Sequence, residues 1–263
     1  MEEALLLRLT VIMDGLGLAC PLDARKTLPV NPNGIKFRLR DVNALKGLAA
    51  HQELGWGSVR GVSAYHISHA NHAAKGQGTE SIMYTGAIDE EGRFYLCNNM
   101  NKSTWSQGDA SRSGDENKEF LSIMFVGNFH GEGHRGSRWG EPNHRQMLCF
   151  MALWQVCKDL WGWNDDDLYG HYHFGKSACP GNTLKAVINA IRSNAFPNLQ
   201  EVKGRQEALK SLGYYRGAID GMWGAVSKAA LILFQGENGV SPDGRWGATT
   251  ENVIRKRLQA GCT

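Results

Sequence analysis

The chain is poor in several features that would direct its reading elsewhere. None of its 263 residues fall in an apolar run long enough to cross a bilayer: Arg8 cuts the first hydrophobic stretch, and Gln155 and Lys158 cut the one around Phe150, so membrane insertion is not expected. The six cysteines (Cys20, Cys97, Cys149, Cys157, Cys179 and Cys262) form no CxxC pair. A disulfide scaffold is therefore not expected in a chain of this size, and any metal site has to mix Cys with His. Charge is nearly balanced, with 29 Lys+Arg against 26 Asp+Glu for a net +3, which is too mild for a nucleic-acid partner but compatible with a polyanionic wall surface. The start Met1-Glu2-Glu3 carries no basic leader, so no signal peptide is readable and synthesis in the cytoplasm is expected. With 42% hydrophobic and 21% charged residues, the composition is that of a globular protein with room for one large domain, or a medium one plus a small one.

The clearest pattern lies near the carboxyl end, where Asp220-Gly-Met-Trp-Gly-Ala-Val-Ser recurs as Asp243-Gly-Arg-Trp-Gly-Ala-Thr-Thr. In each copy Asp-Gly marks a turn. The closing Ser227 or Thr249 is expected to cap a following helix, signalled by Ala229–Phe234 and Val253–Leu258. Upstream, Val202–Leu212 has helical apolar spacing and stops at Gly213. Three short helices joined by Asp-Gly turns make a small module, in which the equivalent placement of Trp223 and Trp246 predicts a shared core role.

The larger part alternates strand and helix signals. Leu45–Ala50 and Ile82–Ile88 are apolar runs, and Asp89-Glu-Glu-Gly92 ahead of Phe94-Tyr-Leu96 has hairpin chemistry. Leu121–Val126 reads as a strand covered on both faces. A long helix is predicted over His144–Trp161, capped by Asn143 with Gln146 at the capping-box position. The fold class expected is α/β: a mixed central sheet flanked by helices, plus a small C-terminal three-helix domain. Boundaries follow at 1–40 (N-terminal extension of unknown role), 41–194 (the larger domain), 195–200 (linker around Pro197) and 201–263 (the small module).

Gly170-His-Tyr-His-Phe-Gly-Lys-Ser-Ala-Cys-Pro-Gly181 packs two imidazoles, a thiol and a lysine into one stretch before a helix near Thr183. Zinc takes His nitrogen and Cys thiolate, and a catalytic zinc needs three protein ligands. His171 and Cys179 suit two of them. The third is open between His51, at the end of the first strand, and His66, His69 and His72, which recur at three-residue spacing.

In order along the chain, Leu45–His51, Ala64-Tyr-His66, Tyr84–Gly92, Trp105, Val126–Phe129 and His171–Gly181 together resemble the zinc-dependent N-acetylmuramoyl-L-alanine amidases, the family of amidase-type phage lysozymes and peptidoglycan recognition proteins. Leu212–Gly224 with Phe234-Gln235 resembles the small three-helix peptidoglycan-binding domain. The resemblance implies one zinc ion on His51, His171 and Cys179, with His66 placed instead in the following helix. It implies Tyr84 beside the reacting carbonyl, and Trp105 and Asn128 on the substrate side. Tyr84 with Lys176 or Ser177 is expected to stabilise the oxyanion, and His173 to move a proton or orient a ligand. Tyr214, Tyr215 and Arg216 are candidates for holding the wall polymer.

Departures from the family pattern are Ser177 two residues before the last ligand, Met124 where some branches place a glutamate, and Ser106 where a histidine is common. The activity implied is hydrolysis of the bond between N-acetylmuramic acid and L-alanine in bacterial peptidoglycan. An endolysin, monomeric and released to the wall through a membrane lesion, is the first reading. A cytosolic recycling amidase or a binding protein without turnover are the alternatives.

Overall fold

The computed structural model describes all residues except 56, 72–73, 108–115, 132–139, 193–198 and 261–263. The chain divides into two compact units, Met1–Ser193 and Asn194–Thr263.

In the first unit a six-stranded sheet runs in the order β1 (Leu22–Asp23), β5 (Phe94–Leu96), β4 (Gly86–Ile88), β7 (Phe120–Phe125), β3 (Gly47–Gln52) and β8 (Leu168–Gly170). Only the β4–β5 pair is antiparallel, closed by the Asp89–Gly92 turn; the other pairs are parallel. The neighbouring interior strands β3 and β7 are buried at every position, as near-continuous apolar runs require. A separate antiparallel pair joins β2 (Arg38–Leu39) to β6 (Lys102–Ser103).

One face of the sheet carries Leu48, Ala50, Leu121, Ile123 and Phe125 into a core shared with α1 (Glu2–Gly15), α4 (His144–Trp161) and α5 (Asn182–Arg192). The opposite face carries Ala87, Met124 and Val126, which pack with Val59 of α2 (Val59–His66). A four-residue turn of helix, α3 (Glu116–Glu119), leads into β7. The expected capping box at Asn143 and Gln146 is present, and the helix ends at Gly162 in the left-handed region.

Three sequence expectations change. The strand expected at Leu45–Ala50 runs over Gly47–Gln52, leaving Lys46 at the surface against Glu119. Only Gly86–Ile88 of the run Ile82–Ile88 is strand, because the buried Asn98 side chain donates to the carbonyls of Ile82 and Tyr84, which are thereby held by a side chain and not by a neighbouring strand. Residues 1–40, read as an extension, contribute a helix whose Leu5, Leu9 and Met13 are core, and Glu2 accepts a hydrogen bond from the Met100 amide.

Among its described residues the second unit has three helices, α6 (Val202–Ser211), α7 (Ala225–Glu237) and α8 (Ala248–Ala260), around Leu209, Leu231, Phe234 and Ile254. Both predicted caps are corrected: α7 and α8 begin at Ala225 and Ala248, so Ser227 and Thr249 lie inside the first turn. The two Asp-Gly turns are fastened by glutamines. Gln206 donates to Asp220, the Met222 carbonyl and Ser227 and accepts from the Gly221 amide. Gln235 repeats the set with Asp243, the Arg245 carbonyl, Thr250 and the Gly244 amide. Trp223 and Trp246 meet edge to face at 5.7 Å, packed against the core as predicted.

Candidate metal centre

His51 is the fifth residue of β3, in register with Met124 of β7, and is buried. Parallel pairing of β3 with β8 brings the carboxyl end of β8 alongside, where a single 3₁₀ turn, His171–Phe174, begins directly after Gly170. The chain then loops back through Cys179 to α5. Nitrogen atoms of His51 and His171 and the Cys179 sulfur all lie within 4.8 Å of one another, the only such cluster among the described residues. The two imidazole centroids are 4.4 Å apart, and the sulfur is 3.9 Å from His51 Nδ1. Both His51 Nε2 and His171 Nε2 are buried without a hydrogen-bond partner. Two orphaned buried imidazole nitrogens are costly unless something fills the site.

Electrostatics fit a cation. Burial, reinforced by the neighbouring His171, pushes His51 well below the ordinary imidazole value, and burial takes His171 down to about 4 despite its bond to the Gln107 backbone. Both rings are therefore neutral near pH 7, the form that binds metal. Burial raises the Cys179 thiol to about 12, opposed by a bond from the Gln52 backbone. The donor set of two imidazoles and one sulfur is what a borderline-soft divalent ion selects, with one coordination position left for another ligand.

Around this group the remaining candidates divide. The Tyr84 ring stands 5.3 Å from His51. Burial, with Cys179 and Glu53 adding negative charge, raises its phenol, so it is a protonated donor at working pH. His66 is outside the cluster: at the end of α2 its Nδ1 accepts from the Met83 amide, and burial lowers it to about 4. His69 is exposed and bonds the Gly76 carbonyl, and His72 lies outside the described residues. His173, in the 3₁₀ turn, is directed back to the end of β8, its Nδ1 bonding the Gly170 backbone and its ring packed between Tyr169 and Tyr172.

Lys176 and Ser177 are on the exposed loop carrying Cys179, and the Lys176 charge is felt at His171. Trp105 follows β6 and packs edge-on against Phe37, and Asn128 is buried after β7, accepting from the His130 amide. In the second unit Tyr214 is half-buried, its hydroxyl donating to Glu237, and Arg216 is exposed. Tyr215 is a core residue whose hydroxyl donates to the Ala218 carbonyl, leaving little of it to meet a ligand.

Two residues next to His51 were not singled out from the sequence. Gln52 bonds two separate segments, at Phe129–His130 and at Ala178, and the Glu53 carboxylate accepts from the Gly127 amide beside Tyr84. Their one sequence signal is position, directly after His51 near the end of β3.

The sheet and the clustered His51, His171 and Cys179 define an α/β domain built around a three-residue group that could hold a metal ion. Residues 48–182, which include all three of those residues, match the family model described as N-acetylmuramoyl-L-alanine amidase. The chain belongs to that family and is an amidase acting on peptidoglycan. Residues 198–254 match the model for a peptidoglycan binding domain.

Similar solved structures include the endolysin amidase LysCS from Clostridium intestinale URNW, at 20% identity and TM-score 0.44 over 62% of this chain and 95% of that one. They also include the Ph2119 endolysin of a Thermus scotoductus bacteriophage, at 18% and 0.44 over 59% and 89%. A third is Drosophila peptidoglycan recognition protein SD, at 18% and 0.45 over 61% and 86%. No curated protein matches the chain.

Proposed function

We propose that the protein is a zinc-dependent N-acetylmuramoyl-L-alanine amidase working as an endolysin, with one zinc ion held by His51, His171 and Cys179. The observation carrying this reading is the cluster itself: three N and S donors within 4.8 Å, two of them from imidazoles whose buried Nε2 atoms have no hydrogen-bond partner. When bound, zinc supplies Lewis acidity towards the scissile carbonyl and the attacking water. The protein's own groups do the rest. Tyr84, kept protonated by its surroundings, donates to the developing oxyanion, a contribution of about 3–4 kcal/mol for one such donor. Lys176 or Ser177, on the loop of the third ligand, supplies a second donor. His173 supports the Gly170–His171 turn through the Gly170 backbone and so orients a ligand.

Trp105 and Asn128 line the approach of the glycan and stem peptide. The catalytic assignment covers residues 41–194, to whose core the amino-terminal helix adds Leu5, Leu9 and Met13, and the wall-binding assignment covers 201–263. Tyr214 and Arg216 are its candidate contacts, with Tyr215 supporting them from the core. Retention of a complete ligand set favours turnover over recognition alone, and a peptidoglycan-binding module favours the polymer over soluble recycling fragments. The five cysteines among the described residues are free thiols, in keeping with synthesis in the reducing cytoplasm before release to the wall.

Mass spectrometry of digested peptidoglycan, with chelator and then with zinc restored, tests the reading. Free stem peptides beginning with L-alanine, lost on chelation and regained with zinc, are expected. Metal-independent release would remove zinc from the account, and bound but uncut polymer would make the protein a recognition module.

A further inference from the structure

We infer that Gln52 is the positioning residue that sets the Cys179 sulfur against His51, an inference resting on the metal-centre reading above. Alternation along β3 sends the Gln52 side chain to the face opposite His51, towards the interior, where it is only 5% exposed. A glutamine so deep is costly unless its amide is used. Here nearly all of it is: Oε1 accepts from the Phe129 amide at 2.8 Å, while Nε2 reaches His130 Nε2 at 2.8 Å and the Ala178 carbonyl at 3.3 Å. One side chain thus ties the strand bearing the first ligand to the segment after β7 and to the residue preceding the third ligand.

The loop cannot easily shift on this support. Thr183 donates to the Phe129 carbonyl from both its amide and its hydroxyl. Gly181, at φ +93°, lies so close that a Cβ there would come 2.5 Å from the Phe129 carbonyl and 2.7 Å from Gln52 Oε1. The Gln52 backbone also bonds the Cys179 sulfur directly. Orienting groups behind metal ligands typically change affinity 10–100-fold when lost.

The test uses the full chain, stripped of metal and titrated with cobalt(II), reading both affinity and the thiolate-to-cobalt charge-transfer band. Gln52→Met keeps length and volume while removing the amide. Gln52→Glu keeps the acceptor for Phe129 and removes the donors to Ala178 and His130. The expected result is cobalt binding at least about tenfold weaker in both, with the charge-transfer band weakened relative to the d–d bands, and a metal-free circular dichroism spectrum like that of the parent. Should Gln52→Met fail to fold, Gln52→Glu decides. Parent-like affinity and band in a folded variant overturns the positioning role. Failure of the unsubstituted protein to take up cobalt overturns the metal centre itself, and the inference with it.

Discussion

Replacing Gln206 by leucine should unfold the second unit at temperatures where the first is intact. Gln206 is wholly buried, with Nε2 at 2.8 Å from Asp220, 3.0 Å from the Met222 carbonyl and 3.2 Å from Ser227, and with Oε1 2.9 Å from the Gly221 amide. Leucine fills the space and removes every one of these bonds. The two Nε2 protons are shared among three acceptors, so with the bond at Oε1 the side chain is worth about three bonds; at about 1 kcal/mol net for each neutral bond, and somewhat more for the one to a carboxylate, the loss is about 3–4 kcal/mol. That is a large share of the stability of a domain this small. For 60–100 residues each kcal/mol moves the melting temperature by about 4–8 °C, so a fall of about 12–30 °C is expected.

Scanning calorimetry of the full chain reads this as a shift of the smaller transition alone. Gln235→Leu should shift that transition equally, because its bonds to Asp243, Arg245, Thr250 and Gly244 repeat the set. Between the lowered and the original midpoint, either variant should lose retention on peptidoglycan sacculi while still cleaving a soluble muropeptide. A shift under about 3 °C, or a large effect at one glutamine and none at the other, would refute the idea that a repeated amide clamp holds the module together.

The metal centre yields further expectations. His51→Ala, His171→Ala and Cys179→Ala should each lose metal and activity, whereas His66→Ala, whose ring serves the Met83 amide, should keep its zinc by elemental analysis. Tyr84→Phe should bind zinc normally and lower kcat by about 10²–10³, the value of one oxyanion donor, and unchanged kcat would remove Tyr84 from the reaction. Metal-free protein should become less stable in denaturant titrations as pH falls from 6.5 towards 4. His66 and His171 sit near 4 when folded against 6.5 as the reference, so below 6.5 the unfolded chain binds protons the folded one refuses; a flat profile contradicts the burial of these rings.

Much of this was legible locally. The long helix with its capping box, the Asp89–Gly92 hairpin, the buried strand expected at Leu121–Val126 and found at Phe120–Phe125, and the repeated Asp-Gly turns all depend on residues close in sequence. His171 and Cys179 stood out by density, and His51 by resemblance. What could not be read depended on distant partners. Tyr84 lies outside the strand because Asn98 holds its carbonyl. Gln52, Gln206 and Gln235 look like surface residues until the segments they bond are brought to them. The amino-terminal helix is a different case: Leu5, Leu9 and Met13 share one helical face that periodicity could have found, yet only the packing on α4 shows that this face belongs to the core.

The ligands come from places remote in the chain, with His51 and Cys179 separated by 128 positions. In the unfolded polypeptide they do not form a site, so an ion binding the folded form alone stabilises it by mass action, by about 4 kcal/mol at a thousandfold excess over Kd. On the proposed reading, zinc is thus also a reversible cross-link. The catalytic unit's lifetime against heat and proteases would follow the free zinc around it, while the helical module, which holds none of the three ligands, would keep the same lifetime with or without the ion.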